Sequence, residues 1–182
     1  MNDMKTADPE VEVIFPAEAI AIRLGELARE IAGAGVDSLM VVAILKGSFV
    51  FAADLIRALH GVGLAPEVDF MTLSSYRKAR VSSGQVTILR DMDLDVRGRN
   101  VLIIDDVLDS GRTLAFAKDL ISARGAKTIR TCVLLDKQVK RAVHVEPDYC
   151  AFQCPDTFVV GYGMDVAHRY RELPFVGRVV RE

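Results

Sequence analysis

The sequence predicts an α/β protein, a mostly parallel sheet flanked by helices with a small hood lobe, and three observations carry that prediction. "SLMVVAIL" (38 to 45) and Val101 to Ile104 are apolar runs without polar alternation, as expected of strands buried on both faces. Strand patterns alternate with helical ones through the middle of the chain, which is the signature of parallel pairing through crossover helices. The last forty residues change character and break into short strand and loop patterns.

Taken in order, "PAEAIAIRLGELAREIAGAG" places Ile20, Leu24, Leu27, Ala28 and Ile31 at three- and four-residue spacings behind Pro16, so it reads as an amphipathic helix ending near Gly33 or Gly35. The strand of 38 to 45 closes at Lys46-Gly47, and "FVFAADLIRALHG" reads as a helix stopped by Gly61. After Pro66, "EVDFMTLSSY" and "QVTILRD" are two strands separated by the polar loop "RKARVSSG". A strand over 101 to 105, ended by its acids, precedes a helix from about Thr113 to Arg124, the turn at Gly125 and the strand "TIRTCVLLD" ending at Asp136. "DYCAFQC", "DTFVVGYGMDV" and "FVGRVVRE" are assigned to a smaller lobe over one edge. One domain over 1–182 is expected, with a core of about 35–155 and a hood from the N-terminal and C-terminal segments.

Composition narrows the function classes. With 23 Lys and Arg against 25 Asp and Glu, net charge −2, the chain lacks the electrostatic footprint of a nucleic-acid binder. No uncharged apolar run approaches the roughly 20 residues that span a bilayer, and Met1 to Glu10 lacks a secretory pattern. A cytoplasmic protein with no membrane and no nucleic-acid partner is therefore expected. The three cysteines, Cys132, Cys150 and Cys154, lack framework spacing and suit a reducing compartment. A zinc site from His144, Cys150 and Cys154 is disfavoured because no paired C-x-x-C partner exists.

The chemistry concentrates in "VLIIDDVLDSGRTL" (101 to 114). In open parallel α/β sheets ligands bind outside the carboxyl ends of strands, where Asp105, Asp106 and Asp109 to Thr113 lie. Ser110 and Thr113 offer hydroxyls, Gly111 permits close backbone approach, and the free amides of a helix N-terminus favour a phosphate. Two carboxylates beside a phosphate site repel the ligand unless they face hydroxyls or magnesium, and a sugar phosphate supplies such partners. Neither a G-x-x-x-x-G-K-[ST] loop nor a complete dinucleotide fingerprint occurs, since Gly161-x-Gly163 lacks the third glycine.

Two acids, two apolar residues, a third acid and then Ser-Gly-x-Thr resemble the phosphoribosyl-diphosphate signature of type I phosphoribosyltransferases. "LKGSFVFAADL", "SSY", "LLDK" and "FVVGYGMDVAHRYREL" extend the resemblance over most of 10 to 182, towards the hypoxanthine-guanine phosphoribosyltransferase family. The resemblance implies the type I phosphoribosyltransferase fold, phosphoribosyl diphosphate and a 6-oxopurine base as partners, Mg2+ as cofactor, and a homodimer or homotetramer, with the helix at 50 to 60 as an interface by analogy. A purine nitrogen would displace diphosphate from the anomeric carbon, inverting it through a cation-like transition state.

The same resemblance implies the roles of individual residues. Asp109 would be the general base at purine N7, Asp105 and Asp106 would contact the ribose hydroxyls directly or through metal, and Ser110, Gly111, Arg112 and Thr113 would grip the 5′-phosphate. Lys137 would donate to the exocyclic oxygen, which an ammonium can do for a carbonyl and not for the amino group of adenine. Phe158 would stack on the base and Val159 would read its edge through backbone groups. Asp165 would coordinate magnesium and Arg171 would bind diphosphate. Lys46 and Gly47 would take diphosphate through their backbone, often behind a cis peptide, and the loop from Ser74 to Gly84, with Ser74 and Tyr76, would close over the reacting centre and exclude water.

Asp105 stands where many relatives have Glu, Ser48 where many have Gly, Arg112 where Lys or an aliphatic is common, and Val166 and His168 replace the frequent Tyr and Glu. The resemblance places the changes at 166 to 168 beside the base pocket, which leaves the purine preference open, and xanthine, which shares the 6-oxo group, is an alternative base. A non-catalytic sensor of phosphoribosyl diphosphate is the alternative from another class, and the joint presence of Lys137, Phe158, Asp165 and Arg171 favours the enzyme.

Overall fold

A computed structural model describes residues 10–75 and 86–180. Its main sheet has six strands in the order β4-β3-β2-β5-β6-β7, made of β2 (Leu39–Leu45), β3 (Glu67–Ser75), β4 (Val86–Arg90), β5 (Asn100–Leu108), β6 (Thr128–Lys137) and β7 (Tyr149–Cys154). All neighbours run parallel except β3 and β4, which pair antiparallel. The connection from β2 runs outward to β3, whereas that from β5 runs to β6 on the other side, so the chain reverses its direction of winding between β2 and β5. A crevice opens at the carboxyl ends of strands at such a switch point.

The apolar runs alternate between two cores. Leu39, Val41, Ala43, Leu102 and Ile104 face α1 (Ala17–Gly33) and α2 (Phe49–Gly61), and Met40, Val42, Ile44, Val101 and Ile103 face α3 (Arg112–Ala123). Burial on both faces explains why these strands carry no polar alternation. The residues that bury α1 are Ile20, Leu24, Leu27, Ala28 and Ile31, the set its spacing predicts.

Three boundaries differ from the sequence expectation. β5 does not end at Asp105: it continues to Leu108, because Val107 and Leu108 resume the pairing with Leu135 and Asp136 of β6. The acids therefore belong to the last stretch of a paired strand. α3 starts one residue earlier than expected, at Arg112. "DYCAFQC" is not part of the smaller lobe, since β7 forms the edge of the main sheet through register with β6 from Cys132↔Tyr149 to Lys137↔Cys154.

The smaller lobe rests on a second, two-stranded sheet of β1 (Val11–Phe15) and β8 (Val176–Val179), paired antiparallel from Val11↔Val179 to Phe15↔Val176. β1 went unassigned in the sequence reading, although Val11, Val13 and Phe15 alternate with other residues at strand period. Phe15 stacks on Phe152 of β7 with ring centroids 4.4 Å apart, which fixes this lobe to the edge of the main sheet.

Arg23 of α1 fastens the same edge. Its Nε donates to the Ala151 carbonyl at 3.2 Å and its Nη2 to that of Cys150 at 2.9 Å, while Nη1 is held by Glu26 and Glu30 at 2.9 and 2.7 Å. Arg23→Ala is expected to lower unfolding free energy by about 1–2 kcal/mol in urea titration, because charge-assisted bonds to carbonyls of an outer strand are lost. Arg57→Ala, which breaks only the exposed Asp54 pair, should stay within about 0.5 kcal/mol of the parent.

Candidate active site

The crevice at the switch point has a volume of about 310 Å³ and takes its walls from the ends of β2, β5 and β6 and from the segment 158–171. At its floor, Leu45-Lys46 is a cis peptide, and Gly47 lies so close to β5 that a Cβ there would sit 1.7 Å from Asp106 Oδ2. Ser48 is fully buried, its Oγ donating to the Ile44 carbonyl at 2.5 Å, so the turn from β2 into α2 is closed by its own side chain.

Asp105 and Asp106 lie in this crevice. Burial first, and then the neighbouring Asp106 charge, hold the Asp105 carboxyl well above the usual carboxylate range. Burial also raises Asp106, opposed by hydrogen bonds to Asp105 and to backbone amides and by the positive Arg171. Two neighbouring acids short of counter-charge make a site that a cation or hydroxyl donors would relieve. Among the described residues no group of three or more His, Cys, Asp or Glu side chains is gathered around one point to hold a metal.

Beyond the acids, Asp109 Oδ2 stands 3.7 Å from Lys137 Nζ, with Lys137 only 9% exposed at the end of β6. Ser110 and Gly111 turn the chain into α3, Gly111 with φ 79°, a left-handed conformation that glycine adopts freely. A Cβ there would meet the Val143 carbonyl oxygen at 2.2 Å, and Val143 N–H donates to the Ser110 carbonyl at 3.1 Å. Thr113, in the first turn of α3, lines the crevice with Lys137, Val159 and Phe158, and Phe158 is 55% exposed.

On the opposite wall Arg171 is braced by two acceptors, Asp165 Oδ1 at 2.8 Å and the Gly163 carbonyl at 2.6 Å, and Asp165 Oδ2 accepts from His168 N–H at 2.8 Å. Gly163 has φ 99° and packs on the Gly47 carbonyl, where a Cβ would come within 2.4 Å. Tyr162, Ala167, His168 and Tyr170 also hold positive φ, so the backbone is tightly specified at both ends of the 161–171 segment.

The crevice therefore gathers Lys46, Gly47, Asp105, Asp106, Asp109, Thr113, Lys137, Phe158, Val159, Asp165 and Arg171. Ser110, Gly111 and Arg112 form the adjoining turn, and Ser74 lies near the end of β3, where Leu73 is the lining residue. Tyr76 and nearly all of the expected closing loop lie outside the described residues. Val143 beneath the turn and Gly163 against Gly47 could not be found from the sequence, because both contacts join segments far apart in the chain and neither leaves a local pattern.

A crevice of this make-up at the switch point of a parallel sheet suits a ligand that carries hydroxyls and phosphates, and comparison with known proteins gives the family. The pattern of the phosphoribosyl transferase domain matches residues 10–167, and the chain belongs to that family. It is 45% identical over 173 residues to hypoxanthine phosphoribosyltransferase of Escherichia coli (strain K12), covering 93% of this chain and 96% of that one. It is 42% identical over 167 residues to hypoxanthine-guanine phosphoribosyltransferase of Bacillus subtilis (strain 168), covering 91% of each. A crystal structure of a hypoxanthine-guanine phosphoribosyltransferase from Bacillus anthracis superposes with a TM-score of 0.87 at 40% identity, over 95% of this chain and all of that one.

Gly163→Ala is expected to cost about 1–3 kcal/mol of stability, since it adds a side chain at positive φ against a backbone oxygen that cannot yield. Thermal unfolding checks this, with Gly61→Ala as the control: nothing lies within 4 Å of a Cβ at that helical position.

Proposed function

We propose that the protein transfers the 5-phosphoribosyl group from phosphoribosyl diphosphate to hypoxanthine or guanine, forming the nucleoside monophosphate and diphosphate. The observation that carries this reading is the Asp109–Lys137 pair, an acceptor and a donor 3.7 Å apart beside an exposed aromatic ring. A 6-oxopurine presents N7 and O6 on one edge. When N9 attacks the sugar, a base protonated at N7 must lose that proton, and a carboxylate there accepts it while the ammonium donates to O6. Adenine presents an amino group at that point and gains nothing from an ammonium.

The remaining roles follow from chemistry and position. Phe158 offers a face for the base, and Val159 offers backbone groups at its edge. The turn of Ser110, Gly111, Arg112 and Thr113 at the start of α3 suits the 5′-phosphate through amides and hydroxyls. Asp105 and Asp106 take the ribose hydroxyls. Arg171, held in a fixed orientation by Asp165 and Gly163, offers its planar fork to diphosphate, and the Lys46-Gly47 backbone binds its other end.

Magnesium belongs to the same proposal. Asp165 on one wall and Asp105 and Asp106 beneath carry the oxygen donors a hard cation seeks; the three are not gathered around one point, so substrate and water oxygens would complete the shell of a metal that would neutralise the leaving diphosphate. Ser74 and Tyr76, at the start of the polar loop, are proposed to help close the site over the reacting centre. We also propose a homodimer or homotetramer, to be checked by light scattering. The described helices include none long and apolar enough to cross a membrane.

The test offers hypoxanthine, guanine, xanthine and adenine separately with phosphoribosyl diphosphate and magnesium, and identifies the nucleotides by chromatography. Turnover of hypoxanthine or guanine that EDTA abolishes is expected; no turnover of either, or turnover of xanthine alone, would refute the substrate assignment. Asp109→Asn should lower turnover of hypoxanthine at least about tenfold, the loss of a positioned proton acceptor. Lys137→Ala should raise KM for hypoxanthine and guanine far more than KM for phosphoribosyl diphosphate.

A further inference from the structure

The loop that follows Lys137 carries an anchor with no place in the roles above. Asp136, 7% exposed at the end of β6, accepts from Arg141 Nη2 through Oδ1 and from Gln153 Nε2 at 3.1 Å through Oδ2. Arg141 Nη1 donates to the Val145 carbonyl at 2.7 Å, so one guanidinium ties both ends of the 141–145 turn to the sheet. Arg141 Nε is buried and finds no acceptor among the described residues, which leaves Asp136 and Val145 as the partners that fix the group. Such a planar fork between a carboxylate and a carbonyl allows little rotation.

The turn held in this way lies under the start of α3. Val143, two residues from both Arg141 and Val145, donates its N–H to the Ser110 carbonyl, and its own carbonyl fills the space where Gly111 has no side chain. Val145 is buried in the α3-side core, and a Cβ on Gly111 would meet its Cγ1 at 3.0 Å. The Ser110–Gly111 peptide is therefore set against a turn whose shape depends on Arg141.

We propose that Arg141 is a positioning residue for the phosphoribosyl ligand: through Val143 it fixes the Ser110–Gly111 peptide and with it the amides and hydroxyls that receive the 5′-phosphate. The inference rests on the phosphoribosyl reading above and extends it to a residue outside the crevice. It locates the effect on the sugar phosphate rather than on the base, although Arg141 lies close in sequence to Lys137.

The experiment compares the parent protein with Arg141→Ala, Arg141→Lys and Asp136→Asn, and with Lys140→Ala as an exposed charge control on the same loop. Steady-state KM is measured for phosphoribosyl diphosphate and for hypoxanthine, ribose 5-phosphate binding by calorimetry, and the thermal midpoint alongside. Arg141→Ala is expected to raise KM for phosphoribosyl diphosphate and Kd for ribose 5-phosphate about tenfold, with KM for hypoxanthine within about twofold of the parent. Arg141→Lys should fall between, since one ammonium cannot repeat the fork, and Lys140→Ala should match the parent. A lower midpoint with both constants unchanged would reduce Arg141 to a purely structural role and overturn the proposal. A rise confined to hypoxanthine would also overturn it, by placing the effect at Lys137. Should Arg141→Ala fail to fold, Asp136→Asn must show the same split at about threefold or the proposal falls. If the parent turns over no purine, the substrate reading fails, while ribose 5-phosphate binding still decides the role of Arg141.

Discussion

The parallel pairing of β2 with β5 is the interaction on which the rest depends. It runs from Leu39↔Asn100 to Ala43↔Ile104, and beyond it β2 ends in the Leu45–Lys46 peptide while β5 continues to Leu108. That unequal length opens the crevice. Because the chain winds outward from this pair on both sides, α2 covers one face and α3 the other, and each helix begins beside the opening. A register slip by one residue would exchange the two cores and with them the faces on which Asp105 and Asp106 stand.

The acids show why the position matters. A strand buried on both faces is a costly place for carboxylates, and Asp105 is 5% exposed. Burial opposes the ionisation of both, and the Asp106 charge opposes that of Asp105 as well, so ligand groups of the right sign gain more here than they would at an exposed loop. On the far wall Arg171 is held by Asp165 and the Gly163 carbonyl. The site thus sets the Asp105 and Asp106 carboxyls apart from the paired Arg171–Asp165 and Lys137–Asp109 groups, an arrangement suited to a ligand with hydroxyls at one part and phosphate at others.

Much of this was legible in the sequence, for reasons that can be stated residue by residue. The unbroken runs 39–45 and 101–104 announce buried strands, and Ile20 to Ile31 announce the inner face of α1, because burial acts on every position at a fixed period. Asp105, Asp106, Asp109 and Thr113 share one crevice because the motif "DDVLDSGRT" crosses directly from strand to helix, and the ends of the neighbouring parallel strands bring Lys46, Gly47 and Lys137 to the same opening. What escaped were features set by partners distant in sequence. β5 runs past Asp105 because β6 supplies bonds as far as Asp136; β7 joins the main sheet because β6 offers an edge; Val143 supports the Ser110–Gly111 turn with no motif of its own. β1 was overlooked for the same reason, its partner β8 lying at the other end of the chain.

That last pairing has a topological consequence. Since Val11 lies opposite Val179, the two ends of the described chain are clasped side by side, and Val160 of the crevice wall bridges to Gly177 of that clasp. A short covalent bridge joining the ends would close the backbone into a ring with little change to the folded form, while removing conformations from the unfolded one. A chain joined in this way could be opened elsewhere, at an exposed turn such as Gly61–Gly63, and the order of the strands in space would stay as it is.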